Sequence, residues 1–266
     1  MLRMMSIASG SSGNCIYIGS DNTHILIDTG ISRKRICEGL KKLDLSIEDI
    51  DGVFLTHEHI DHIKGAGVIM RNDSLPFFGT EGTLRQMGYN KSLGEIPKDL
   101  LNVIEKDTDI CVGDLSIKAF HISHDASDPV AYTVSCGDKK IGTVTDLGIF
   151  DESIIENMSG CDAFLAEANH DINMLQVGPY PYALKQRILG NMGHLSNELS
   201  GKLVSALLHD NVKAVLLGHL SKENNYDRLA FETVKQEIDM ADNDYNSGDF
   251  DISVAGRDES SEIIEV

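Results

Sequence analysis

His57-Glu58-His59-Ile60-Asp61-His62 decides the reading of this chain, because three of its ten histidines fall within six residues, beside an aspartate. The preceding run, Gly52 to Thr56, has the character of a buried strand, and its end delivers the first histidine. In extended chain His57 and His59 point to one side because side chains alternate. Ile60 then points away and is expected to anchor in the core. Asp61 and His62 arrive as the chain turns toward a helix carrying Ile63, Val68, Ile69 and Met70. Unpaired, such a cluster is costly: protonated imidazoles repel one another, and a buried carboxylate needs a partner. A divalent cation resolves both problems, since neutral imidazole and ionised carboxylate are its ligands. A solvated surface patch is the competing reading.

Four adjacent residues cannot close two metal sites, so further ligands are sought at other strand ends, where folds place functional groups. His124 follows the apolar run Leu115–Ile122, Asp146 ends Lys139–Thr145, and His219 ends Val212–Leu217. His121, three residues before His124, is its rival.

Working outward, short apolar or alternating runs predict strands at Met4–Ala8, Cys15–Ile18, His24–Ile27, Val130–Cys136, Ala163–Ala166, Phe250–Ala255 and Glu262–Val266. Helices are expected from a Ser32 cap to about Leu43, from Pro181 to Leu189, from a Ser196 cap onward, and over Asp227 to Met240. Each half is several strands followed by helices. That order suits an α/β fold, a four-layer αββα sandwich of two sheets with helices outside. Nothing resembles an interdomain linker, so residues 1–266 are expected to form one domain. The acidic stretch 238–266, with a formal charge of −8, would complete it.

The five cysteines are scattered without CxxC spacing, which argues for reduced thiols and against a thiolate metal site. No run of about 18 apolar residues suggests a membrane span, and Met1–Ile7 is too short for a signal-peptide core. A cytoplasmic protein is expected. The formal net charge of −19 repels polyanions at long range and argues against a broad nucleic-acid-coating surface. It weighs less against a metal-lined cleft, where divalent cations invert the local sign.

Together these residues resemble the metallo-β-lactamase superfamily over nearly the whole chain. The resemblance implies that His57, His59 and His124 hold one metal ion, that Asp61, His62 and His219 hold a second, and that Asp146 bridges them. It favours His124 over His121, because Ser123-His124-Asp125-Ala126 fits the family's third motif. Asp28 matches an early strand-end aspartate that orients metal ligands from behind. Ser9-Gly10-Ser11-Ser12-Gly13-Asn14, Glu167-Ala168-Asn169-His170-Asp171, Gly193-His194-Leu195-Ser196-Asn197 and His219-Leu220-Ser221-Lys222-Glu223-Asn224-Asn225 are similar to the YycJ/WalJ-like branch. That branch is associated with single-chain phosphodiesterases, including 5′→3′ exonucleases acting on DNA, and with a cell-wall two-component system. The implied cofactors are two divalent ions, Mn2+ or Zn2+, with iron a third option. Asp146 and His219 stand 73 positions apart, too close for the large inserted domain of β-CASP nucleases.

Two ions about 3.5–4 Å apart can share a hydroxide formed at neutral pH. The expected reaction is in-line attack of that hydroxide on a phosphodiester, with Asp61 orienting the nucleophile. His194, in a Gly-His-Leu-Ser turn before a helix N-terminus, is expected to protonate the leaving oxygen or contact the scissile phosphate. Ser12, Asn14, Asn169 and His170 are candidate substrate contacts, with tight turns as the alternative. Lys185 and Arg187 offer basic contacts, and Tyr180 and Tyr182 offer stacking faces. The implied partner is a nucleic acid, DNA before RNA; monomer and dimer are both compatible with the sequence. A thioester or lactone hydrolase using the same metals, or a regulatory protein tied to a two-component system, are the alternatives.

Overall fold

The computed structural model describes residues 1–266. The first half runs β1 (Arg3–Ala8), β2 (Cys15–Gly19), β3 (His24–Ile27), α1 (Arg33–Leu40), β4 (Gly52–Phe54), α2 (Ile60–Ile63), α3 (Ala66–Asp73), β5 (Phe77–Gly79), α4 (Glu81–Tyr89) and β6 (Leu101–Val103). The second half begins with β7 (Asp109–Val112), β8 (Leu115–His121), β9 (Val130–Cys136), β10 (Lys139–Val144), α5 (Glu152–Met158) and β11 (Ala163–Glu167). It ends with α6 (Ile172–Val177), α7 (Tyr182–Leu189), α8 (Asn197–Leu207), β12 (Ala214–Gly218), α9 (Asp227–Met240), β13 (Asp251–Val254) and β14 (Ile264–Glu265).

The strands form two mixed seven-stranded sheets, ordered β14-β1-β2-β3-β4-β5-β6 and β13-β12-β11-β10-β9-β8-β7. Alternation decides which way each side chain faces. Along β1, Met4 enters the core between the sheets while Met5 packs outward under the helices. Along β8, Leu115, Ile117 and Ala119 face the same inter-sheet core. The outer face of the first sheet is covered by α1, α3 and α4 through Ile36, Leu40, Ile69, Met70, Leu84 and Met87. The outer face of the second is covered by α5, α8 and α9 through Ile154, Met158, Leu203, Val204, Val234 and Ile238. Three apolar cores separated by two sheets make the four-layer αββα sandwich. No helix is long and apolar enough to cross a membrane, and all five cysteines are free.

The topology creates one functional edge. Strands β3 and β4 are parallel, with Ile27 beside Phe54. Strands β10, β11 and β12 are parallel too, with Val144 beside Ala166 and Glu167 beside Gly218. Carboxyl ends of parallel strands are where α/β proteins place ligands. Here two such sets meet at the same end of the sandwich. Two hydrogen bonds fasten the sheets together there: Tyr132 Oη donates to Leu55 O at 2.6 Å, and Val130 N donates to Thr56 O at 3.0 Å.

The structure corrects several local expectations. Strand β4 stops at Phe54, where the Leu55 and Thr56 carbonyls turn to the other sheet while Leu55 N still donates to Phe78 O at 2.8 Å. Ile60 does not anchor in the core; it is 47% exposed, since His59 already opens α2 and turns the next side chain outward. The expected helix after His62 is broken at Gly65, whose N–H donates to Thr29 O at 2.7 Å. A Cβ there would sit 2.4 Å from Ile31 O. The acidic C-terminal stretch supplies an edge strand to each sheet, β13 on β12 and β14 on β1.

Candidate metal centre

Three of the residues at the functional edge, Asp28, Asp146 and His219, have φ of 61°, 60° and 56°. This left-handed conformation is uncommon outside glycine. Each leaves its strand (Ile27, Val144 and Gly218 being the last strand residues) with a reversal of the backbone that swings the side chain into the cleft.

The side chains there form linked groups whose ligand atoms lie within 4.8 Å of one another. His57, His59 and His124 make one such group, and Asp61, His62 and His219 another. Asp146 joins His57 and His62 in a third group, and Glu167, His194 and His219 in a fourth. The Asp146 carboxylate stands 3.3 Å from His62 Nε2 and 3.9 Å from His124 Nε2. His124 is 2% exposed within the cluster, whereas His121 ends β8 with its side chain in solvent.

Four of the imidazoles are turned by partners behind them. Asp28 Oδ2 accepts from His62 Nδ1 at 2.7 Å and from Thr56 Oγ1 at 2.8 Å. The Thr56 hydroxyl, having given its proton to Asp28, accepts from His57 Nδ1 at 3.0 Å. Gly193 O accepts from His124 Nδ1 at 3.1 Å. Glu167 Oε1 accepts from His219 Nδ1 at 3.0 Å. Four histidines thereby present Nε2 to the interior of the cleft, the arrangement that fixes tautomers in metal sites. His57 Nε2, His219 Nε2 and Asp146 Oδ2 are buried and without any hydrogen-bond partner. Buried polar atoms are rarely left so, and a divalent cation is the partner these nitrogens and oxygens suit.

The electrostatics agree. Burial lowers the His57 imidazole, reinforced by His62, His124 and His59. Burial also opposes charge on His62 and His219, yet the surrounding carboxylates override it. Asp146, Asp28 and Asp61 hold His62 well above its ordinary value, and Asp146, Asp61 and Glu167 push His219 up to about 10. Asp61, for its part, is held far below the carboxylate range by His62 and His219, against the effect of burial. The carboxylates that favour positive charge on His62 and His219 favour a divalent cation among them for the same reason.

Glu167, fully buried at the end of β11, is the functional residue that reading for ligands missed. Its Oε1 also stands 2.7 Å from His194 Nδ1, and its Oε2 accepts from Leu147 N at 3.0 Å and Leu195 N at 3.3 Å. The available signal was a carboxylate closing an otherwise apolar strand, Ala163–Glu167. His194 folds back over the end of α7, its N–H donating to Ile188 O at 3.0 Å. The turn requires Gly193, where a Cβ would lie 2.2 Å from Ile188 O.

Asn14 is buried with its amide 3.1 Å from His62 Nε2, and Ser12 is exposed on the loop before it. Asn169 and His170 are buried at 4% and 1% exposure. The Asn169 amide donates to His219 O at 2.9 Å, so it braces a cluster residue from behind and does not face the opening. Burial pushes His170 down to about 4. Arg187 makes a two-point ion pair with Asp125, whose Oδ1 is 3.5 Å from His124 Nε2. Lys185 Nζ donates to Gln176 O, and Tyr182 is 77% exposed.

A β-lactamase superfamily domain matches residues 23–220. The chain is 36% identical over 238 residues to an exodeoxyribonuclease YycJ of Bacillus anthracis, covering 90% of this chain and 89% of that one. It is 38% identical over 236 residues to an exodeoxyribonuclease WalJ of Streptococcus pneumoniae, covering 89% and 88%. Among solved structures, the metallo-β-lactamase fold protein YhfI of Bacillus subtilis superposes over 100% of this chain and 99% of its own. The TM-score is 0.71 at 17% identity, a likeness of fold.

Proposed function

This chain belongs to the metallo-β-lactamase superfamily of metal-dependent hydrolases, in its YycJ/WalJ-like branch, and from that premise we propose that it is a dinuclear phosphodiesterase removing nucleotides from DNA in the 5′→3′ direction. The observation that carries the reading is the position of Asp146, grouped with ligands on both sides of the cleft. His57, His59 and His124 would hold one ion; Asp61, His62 and His219 would hold the second; Asp146 would lie between. Divalent ions there, Mn2+ or Zn2+ before iron, supply a nucleophile from water at neutral pH and neutralise phosphoryl oxygens. They also bring positive charge into an acidic chain, which admits a polyanion the net charge repels.

The chain's own residues do the rest. Asp61 is partly open to the cleft and orients the attacking water, its carboxylate kept ionised by His62 and His219. His194 is 18% exposed and donates the proton that the leaving oxygen needs. For that step His194 acts as the imidazolium: Glu167 accepts from its Nδ1–H and stabilises the cation, and Nε2–H gives its proton to the leaving oxygen. Ser12, exposed on its loop, contacts a phosphate of the strand. The two exodeoxyribonuclease relatives support DNA before RNA.

The test is degradation of 5′-labelled single- and double-stranded DNA and RNA, with metal content measured on the same samples. Wild type would be compared with Asp61→Ala and His194→Ala. Metal-dependent cleavage lost in both variants, with a 5′ mononucleotide product, is expected. Two ions per chain with no strand cleaved would overturn the reading and redirect the search to thioesters and lactones.

A further inference from the structure

Outside the metal cleft, one cavity of about 450 Å³ is lined by Ser9, Lys222, Asn225, Tyr226, Asp227 and Arg257. It shares a wall with the cleft. His219 N donates to Ser9 Oγ at 2.8 Å. Leu220, the next residue, accepts from Arg257 Nη2 at 3.0 Å and also lines the cavity. The Gly10 turn roofs the far side, where a Cβ would meet Arg257 Nε and Leu220 O at 3.3 Å.

The charge here runs against the chain. Acids outnumber Lys and Arg by 42 to 23, yet two cations and one acid face this cavity. Neither cation is in an ion pair; the neighbouring Asp258 is taken by Arg35 at 3.3 Å. Arg257 Nε is buried with no partner at all. Tyr226 opens α9 with its ring 55% exposed, and no side chain caps that helix start. Two unpaired cations beside an exposed aromatic ring match a nucleotide: phosphate oxygens for the cations, a base face for the ring.

We infer that this cavity binds the nucleotide next to the scissile phosphate, with Lys222 and Arg257 on its phosphate and Tyr226 stacked on its base. The inference rests on the nuclease reading and adds to it a second contact zone, reached by the strand as it passes His219 and the Gly10–Gly13 loop. It also explains how an acidic protein holds a strand: the grip is local, one nucleotide wide, and beside the metals.

The experiment compares kcat/KM for a 5′-labelled oligodeoxynucleotide with that for bis(p-nitrophenyl) phosphate, which has neither a second phosphate nor a nucleobase. It uses the metal-loaded protein and its Lys222→Ala, Tyr226→Ala and Tyr226→Phe variants. The oligonucleotide-to-diester ratio is expected to fall about tenfold in Lys222→Ala and Tyr226→Ala and to be retained in Tyr226→Phe, which keeps the stacking face. Lys222→Ala should also flatten the dependence of log KM on log salt by about 0.7, one phosphate contact to a single strand. An unchanged ratio in Lys222→Ala and Tyr226→Ala, with the oligonucleotide still cleaved by wild type, would overturn the subsite and leave the nuclease reading standing. Wild type that turns over the diester but no oligonucleotide would overturn both.

Discussion

Oε1 of Glu167 lies 2.7 Å from Nδ1 of His194, and the same oxygen lies 3.0 Å from Nδ1 of His219. One buried carboxylate thus orients both a residue of the metal cluster and the proposed proton donor. Glu167→Gln retains the shape but offers one acceptor oxygen to four donors. Either the imidazoles or the Leu147 and Leu195 N–H groups then lose their partner, a cost of about 1–3 kcal/mol. A lower Tm is expected, together with a 10–100-fold loss of metal affinity and a fall in turnover at saturating metal. Normal turnover with full metal would show that His194 needs no partner.

Asp28 plays the corresponding part on the other sheet, holding His62 and Thr56 but not His194. Asp28→Asn should weaken metal binding by about 10–100-fold, because His62 and Thr56 lose their shared acceptor. Turnover per bound metal should change little. Equilibrium dialysis and single-turnover rates on the same sample separate the two, and a large loss of turnover at full occupancy would contradict this division.

How far the residues could be read in advance follows from how local each signal is. Val130–Cys136 and Asp227–Met240 appear with the expected bounds, because alternation and helical spacing run unbroken there. The His57–His62 cluster was legible because six adjacent residues carry it. Strands β5 and β6, three residues each, are too short for a periodic signal. The exposure of Ile60 depends on where α2 starts, and that is set by the distant bonds of Thr29 and Asn14 to His62 O and Asp61 O. Glu167 and the Arg187–Asp125 pair act across 27 to 62 positions of sequence. No local pattern reports such contacts.

His219 supplies a pH test. Its folded-state value is pushed up to about 10 from an ordinary 6.5, and His62 is raised as well. A raised value stabilises the fold fully below the ordinary one, and that contribution is lost as pH climbs through the raised one. Metal-free protein should therefore lose Tm between about pH 7 and 10. Ions displace these protons, so apparent metal affinity should rise with pH by roughly tenfold per unit for each proton released. Calorimetry in two buffers of different ionisation enthalpy counts the protons. A metal-free Tm that stays flat over this range would mean that both imidazoles are already neutral.

If His194 protonates the leaving oxygen, its removal should matter in proportion to how poor the leaving group is. His194→Ala should slow release of a nucleotide from DNA by about 10²–10⁴-fold. It should slow release of p-nitrophenolate, which leaves without a proton, far less. Metal content should stay near that of wild type, since Glu167 still holds His219. Equal losses on both substrates would assign His194 to phosphate contact or to metal support.

Gly30 ties three pieces of the site together. Its N–H donates to Asn14 O at 2.7 Å, while Asn14 N donates to Asp61 O at 2.8 Å. A Cβ on Gly30 would fall 1.6 Å from Asp61 O and 2.7 Å from Asn14 N. These are backbone atoms and cannot rotate aside, so Gly30→Ala must push α2 away from the β3 turn and carry Asp61 and His62 with it. The Asp61–His62–His219 group should open while His57 and His124, held by Thr56 and Gly193, keep their places. Metal analysis is expected to show about one ion lost per chain and turnover abolished, with a lowered Tm. Wild-type stoichiometry in a folded Gly30→Ala protein would show that the second site does not depend on this contact.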